Sequence, residues 1–183
     1  MTTVINLISG PGSGKSTLAA ELYANMKRRH LDVEIVREVA KEWAYEGKKI
    51  GPFEQIAIIG EQIKKESSLF GKVNYIVTDS PTLLGAFYFE HNHGPLFMNK
   101  MVKNYYDYSE RNGITFLNYI IPRYGIYDNK GRFESEEEAK EIDTDLWWYL
   151  STENYTFKNF ADQNNNIMPD DILNLIIKDV LNG

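Results

Sequence analysis

The chain has 183 residues, with 20 Lys+Arg against 26 Asp+Glu, a formal net charge of −6 and no cysteine. The absence of cysteine excludes disulfides, thiolate zinc sites, iron–sulfur clusters and a cysteine nucleophile, and the acidic balance argues against nonspecific coating of nucleic acid while leaving room for a local basic groove. The length suits one domain spanning 1–183, and a hydrophobic content of 43% excludes a disordered chain.

Met1-Thr2-Thr3 runs into an apolar segment with no basic region before it, so a secretory signal is not expected. No run approaches the roughly 18 apolar residues of a membrane span, and a cytoplasmic location is the expectation. Val4-Ile5-Asn6-Leu7-Ile8 predicts a buried strand that ends at a glycine-rich turn. Residues 16–29 follow helical spacing, with Leu18, Ala19, Leu22, Tyr23 and Met26 on one face and basic residues gathered at the C-terminal end, where they suit the helix dipole. A second strand is predicted over 32–36 and a short helix over 38–46. Pro52 opens a helix whose apolar residues are Phe53, Ile56, Ala57, Ile59, Gly60 and Ile63. Residues 73–78 read as a third strand ending at Asp79-Ser80-Pro81, followed by a helix through Leu83, Leu84 and Phe87. His91-Asn92-His93-Gly94-Pro95 reads as a loop, because its two histidines have no cysteine or third histidine nearby to complete a metal site. A helix over 96–111, a strand over 114–121, a polar turn-rich stretch over 123–137, a helix over 134–149 and a final helix from Pro169 complete the pattern. Strands alternating with helices predict an α/β protein, a parallel sheet with helices on both faces.

Ser9-Gly10-Pro11-Gly12-Ser13-Gly14-Lys15-Ser16-Thr17 stands between the first strand and the first helix. Glycines let a backbone wrap a phosphate with its amide protons inward, and a helix N-terminus adds positive potential. Lys15 supplies a full charge for the β- and γ-phosphates, and Ser16 a hydroxyl for magnesium. The pattern G-x-x-x-x-G-K-[ST] asks for glycine at position 9, where this chain has Ser9; Gly10, Gly12, Ser13, Gly14, Lys15, Ser16 and Thr17 are left as the nucleotide-binding candidates.

On this loop the chain resembles the P-loop kinase superfamily, in particular its small nucleoside and nucleotide kinases. Gly10-Pro11-Gly12-Ser13-Gly14-Lys15 is similar to the loop of adenylate and polynucleotide kinases, and the order of elements is similar to the nicotinamide riboside kinase domain of bifunctional NAD-biosynthesis regulators. The resemblance implies a three-layer P-loop NTPase fold with a small lid at about 123–145, and ATP and Mg2+ as cofactors. It implies that Asp79, at a strand end, reaches magnesium or takes the proton of the acceptor hydroxyl. The plain alternative is that Asp79 caps the next helix. Glu38 is a second candidate base or sugar ligand, and Arg37 a candidate for an anionic acceptor; an ordinary ion pair at a helix start is the alternative for both. Gln55 and Gln62, seven apart, share a helix face, so Gln62 is a candidate substrate reader or else a surface glutamine. Trp43, Tyr45 and Phe53 are candidates for stacking a ring, with core packing the commoner fate of such residues. Arg123 and Arg132 bracket the lid and are candidates for stabilising the transferring phosphoryl group; the plain alternative is that they solubilise a loop.

The leading expectation is an ATP- and Mg2+-dependent kinase of a small nucleoside- or nucleotide-like acceptor. The alternative is a kinase of polymeric DNA or RNA, motivated by Tyr105-Tyr106-Asp107-Tyr108 and Trp147-Trp148-Tyr149, followed by a regulatory P-loop ATPase. The 13% aromatic content is compatible with a homodimer and equally with internal packing.

Overall fold

The computed structural model describes residues 1–95, 97–124, 135–160 and 168–182. In chain order its elements are β1 (Thr2–Ile8), α1 (Lys15–Arg28), β2 (Val33–Val36), α2 (Val39–Tyr45), α3 (Pro52–Ser67), β3 (Tyr75–Thr78), α4 (Thr82–His93), α5 (Met98–Arg111), β4 (Ile114–Ile120), α6 (Glu136–Thr152), β5 (Lys158–Asn159) and α7 (Pro169–Asn182). The strands form one sheet in the order β2-β3-β1-β4-β5, and every pairing is parallel.

β1 is central, and its near-continuous apolar run follows from burial on both faces. Side chains alternate across a strand: Ile5 and Leu7 pack with Leu18, Leu22 and Met26 of α1 and Ile172 and Ile176 of α7, whereas Ile8 packs with Ile59, Leu83, Phe87, Met98, Val102, Ile142 and Leu146 from α3, α4, α5 and α6. Asn6 falls on the second face, where its Nδ2 donates to Asn118 Oδ1 at 2.8 Å and to the Tyr106 hydroxyl oxygen at 3.2 Å. Those bonds offset the cost of a polar group inside the sheet.

Strand register aligns the edge that matters. Asn6 pairs with Thr78, and Thr78 with Val36. Residues 37 and 79 therefore emerge on the next rung, beside the loop that follows Ile8, at the C-terminal edge where open α/β sheets bind ligands.

Several predicted features shift. His91 and His93 form the last turn of α4 rather than a loop, and no metal-ligand cluster occurs among the described residues. Burial on α3 does not follow its apolar residues: Phe53 is 81% exposed, whereas Gln55, Ile58, Ile59, Gln62 and Glu66 are buried. The helix predicted over 134–149 is α6, which begins after Ser135; the Ser135 Oγ accepts from Glu138 N–H and the Glu138 carboxylate accepts from Ser135 N–H. Of the lid predicted at about 123–145, residues 125–134 lie outside the described residues, and Ala139 and Ile142 of α6 are buried in the body. β5 has no sequence signature, since two residues show no alternation.

Candidate functional site

Gly14 precedes α1 with φ +101, and Gly12 has φ +71. Both values lie in the left-handed region that favours glycine, and this is why the loop needs glycine at these two places. A Cβ on Gly14 would also stand 2.7 Å from the Tyr124 ring. The first turn of α1 carries no acidic residue, so its positive end is not offset locally. Lys15 Nζ donates to the carbonyl oxygens of Ser9 and Gly10, each at 2.7 Å. The ammonium therefore lies across the mouth of the loop. Ser13 is fully buried beneath it, Ser16 is half-buried, and Thr17 is exposed.

A cavity of about 300 Å³ adjoins this loop. Ser9, Pro11 and Lys15 line one end, and Glu38, Gln55, Gln62, Asp79 and Thr82 supply polar groups along its walls. The apolar lining comes from Ile58, Ile59, Leu84 and the ring of Tyr88, among others. α3 and α4 meet closely here, since a Cβ on Gly85 would sit 2.5 Å from Ile59 Cγ1.

Two buried oxygens of the lining have no hydrogen-bond partner among the described residues: Asp79 Oδ1 and Gln62 Oε1. Unpaired buried polar atoms are costly in a folded chain and collect where a ligand or ion completes them. Asp79 is 6% exposed. The helix cap expected of it as the plain alternative is absent, because Pro81 is the α4 N-cap and no side chain caps that end. Gln62 is 3% exposed, not a surface glutamine. Its Nε2 lies 3.4 Å from both Glu66 Oε1 and Thr78 Oγ1. Behind it, Glu66 Oε2 accepts from the Tyr105 hydroxyl at 3.3 Å. Burial pushes the Glu66 carboxyl up to about 8, against opposing hydrogen bonds from Gln62 and Tyr105.

The structure thus brings Lys15, Glu38, Gln62 and Asp79 to one cavity. It does not bring Arg37, which is exposed and outside the lining. Nor does it bring Trp43, Tyr45 or Phe53; α2 turns Ala40, Lys41 and Ala44 to the cavity instead, and the aromatic wall is Tyr88. Arg123 stands outside the lining too, bound to Asp143 at 2.7 Å. Arg132 lies outside the described residues. Thr82 and Tyr88 were not legible as site residues, because one follows a proline turn and the other reads as helix core.

The donor set fits a polyphosphate with a hard cation: a glycine loop closed by a lysine, the Ser16 hydroxyl at a helix start, and a buried carboxylate oxygen without a partner. Among the described residues no helix is long and apolar enough to cross a membrane.

Solved structures share this fold. The NadR protein in complex with NR superposes with a TM-score of 0.70 at 15% identity over 97% of this chain, which spans 51% of that protein's length. A deoxyadenosine kinase from M. mycoides, solved with the products dCMP and a flexible dCDP, gives 0.60 at 16% identity, covering 98% of this chain and 100% of the other. The crystal structure of APE1195 gives 0.56 at 18% identity, over 98% of this chain and 95% of that one. No curated protein matches the chain by sequence. These likenesses are of fold, and they agree with the parallel sheet and the loop between β1 and α1. The AAA_28 model, an AAA domain, matches residues 4–164, and the chain therefore belongs to this family of P-loop domains.

Proposed function

We propose that the protein is an ATP- and Mg2+-dependent kinase of a small nucleoside- or nucleotide-like acceptor. One observation carries this reading: a single cavity of about 300 Å³ is lined at one end by Lys15 and the loop, and elsewhere by Asp79, Glu38 and the buried Gln62. That volume is at the small end of ligand pockets, of order 300–1,000 Å³, and suits one nucleoside unit better than a strand of nucleic acid. The aromatic runs that motivated a polymer substrate support it poorly. Tyr106 is in the core, stacked on Phe116, and Tyr108, Trp147 and Trp148 are exposed without lining the cavity.

In this reading Gly10, Gly12, Ser13, Gly14 and Thr17 shape the cradle for the triphosphate, and Lys15 leaves the Ser9 and Gly10 carbonyls to neutralise its oxygens. Ser16 and Asp79 hold magnesium, which supplies charge neutralisation on the phosphates. Gln62, with Gln55 beside it, orients the acceptor. Asp79 or Glu38 receives the proton of the attacking hydroxyl; both carboxylates line the cavity, and a positioned base contributes about 10²–10⁴-fold. The cavity walls exclude water, so transfer favours the acceptor.

The test is ADP formation from Mg-ATP with nucleosides, mononucleotides, nicotinamide riboside and a short oligonucleotide as acceptors. The expected result is turnover that requires a nucleoside or mononucleotide. Turnover with the oligonucleotide alone, or equally fast turnover in water, contradicts it.

A further inference from the structure

Outside the cavity, one polar cluster grips the entry turn of the loop. The Asp143 carboxylate of α6 is the acceptor at its centre. Its Oδ1 receives the Gly10 N–H at 2.6 Å and the Ser9 hydroxyl at 3.2 Å. Its Oδ2 receives Arg123 Nε at 2.9 Å and Nη2 at 2.7 Å. The same guanidinium donates through Nη1 to the Pro11 carbonyl at 2.8 Å and through Nη2 to the Ala139 carbonyl at 3.0 Å. The ion pair is largely sheltered, with side chains 16% and 30% exposed.

Three features of the sequence acquire a reason here. Ser9 stands where the usual loop pattern has glycine, and its hydroxyl is used as a second donor to Asp143. Gly10 has no room for a side chain, because a Cβ would lie 2.6 Å from Asp143 Oδ1 and 3.0 Å from the Ala139 carbonyl oxygen. Arg123 is the third residue after β4, yet is turned onto α6 and the loop rather than into the cavity.

The bonds also dictate how the loop presents its amides. In a trans peptide the carbonyl and the following N–H point in opposite directions. With the Pro11 carbonyl held by Arg123, the Gly12 N–H is turned away from Arg123. With the Gly10 N–H taken by Asp143, that amide is spent on the scaffold. A carboxylate beside a phosphate loop would by itself repel polyphosphate; the Arg123 guanidinium, with Nε and Nη2 both on Oδ2, offsets that charge and fixes the carboxylate's orientation.

We propose that Asp143 and Arg123 form a charge-balanced strap that holds the entry of the phosphate loop in its nucleotide-binding shape, so that both are positioning residues. The proposal rests on the reading of this loop as a nucleotide site. It replaces the role expected for Arg123 as a group acting on the transferring phosphoryl, and it assigns Asp143 a role that has no counterpart in the loop pattern.

Charge makes the test specific. Arg123→Ala leaves the Asp143 carboxylate unpaired beside the loop, and the loss of a partner in a sheltered charge pair is costly chiefly through the charge left behind. Calorimetric titration of the full chain with ADP and Mg2+ is expected to show affinity at least about tenfold weaker in Arg123→Ala. The double variant Arg123→Ala/Asp143→Asn is expected to recover most of that loss, since it removes the stranded charge while the asparagine oxygen still accepts the Gly10 N–H. Arg123→Lys, which keeps the charge and loses the fork, is expected to lie between wild type and Arg123→Ala. Circular dichroism and melting curves without ligand establish that each variant is folded. If Arg123→Ala does not fold, the ordering of wild type, Arg123→Lys and Asp143→Asn decides instead, with wild type binding most tightly. ADP affinity unchanged in Arg123→Ala or Arg123→Lys, with only turnover reduced, overturns the strap and returns Arg123 to the reacting phosphoryl. No recovery in a folded double variant also overturns it. A wild type that binds no ADP is a different failure: the nucleotide reading itself falls.

Discussion

The Tyr124 ring lies against Gly14, with its edge 2.7 Å from where a Cβ on that glycine would stand. Tyr124 N–H also donates to the Ser13 carbonyl at 3.3 Å, and its ring packs against the core that includes Leu18 and Phe160. The chain leaving β4 therefore braces the last turn of the loop. Gly14→Ala meets two obstacles: the left-handed backbone, costing about 1–2 kcal/mol for an L-residue, and the Tyr124 ring. Urea unfolding is expected to show a loss of at least about 1 kcal/mol, and the rise in melting temperature produced by ADP is expected to disappear. A variant as stable as wild type with full ADP response contradicts this local geometry.

Glu66 gives a pH signature. Its carboxyl is pushed by burial up to about 8 in the folded chain, while an unfolded Glu titrates near 4.3. The folded state thus holds this proton more tightly. The resulting stabilisation is complete below the unfolded pKa and is lost as pH rises through about 8. The facing titratable groups are Tyr105 and Tyr106 of α5, both raised by burial and so neutral across this window. Glu66→Gln keeps the shape and removes the titration. Relative to wild type it is expected to gain about 2–4 kcal/mol in unfolding free energy between pH 5 and pH 8. Parallel pH profiles for the two proteins would contradict a neutral buried Glu66.

Much of this site was readable before the structure. A strand, a glycine-rich turn and Lys15 at a helix start announce themselves locally, because backbone conformation and helix ends have residue-type requirements. Asp79 was readable as a strand-end carboxylate. Which residues of α3 are buried was not legible, because burial there is set by a cavity as well as a core. Gln55 and Gln62 turn inward to line it, Glu66 sits behind them, and Phe53 is left in solvent. The pairing of Arg123 with Asp143 was not legible, because Asp143 is 20 residues further along the chain and the contact is made by the packing of α6 rather than by any local pattern. β5 is held by two register pairs with Tyr119 and Ile120, too short to leave a period.

Gln62 and Asp79 are expected to separate binding from chemistry. Gln62→Ala removes a polar group from the cavity wall, worth about 1–3 kcal/mol when its loss leaves a partner unpaired. Steady-state kinetics on the preferred nucleoside are expected to show KM raised about tenfold or more, with ADP affinity unchanged. Asp79→Asn is expected to lower kcat by about a hundredfold or more while the melting temperature stays close to wild type. A fall in stability with normal kcat would assign Asp79 to scaffolding.

The central claim is that phosphate leaves the Lys15 loop for an acceptor seated in the adjoining cavity, and acceptor-dependent ADP release is the measurement that tests it most directly. ADP release by wild type and Lys15→Ala should be followed in Mg-ATP, with and without a panel of nucleosides and mononucleotides. The account predicts release by wild type that rises at least about tenfold with one of these acceptors and is abolished in a folded Lys15→Ala. Release that is independent of acceptor, or that survives the loss of Lys15, would contradict it.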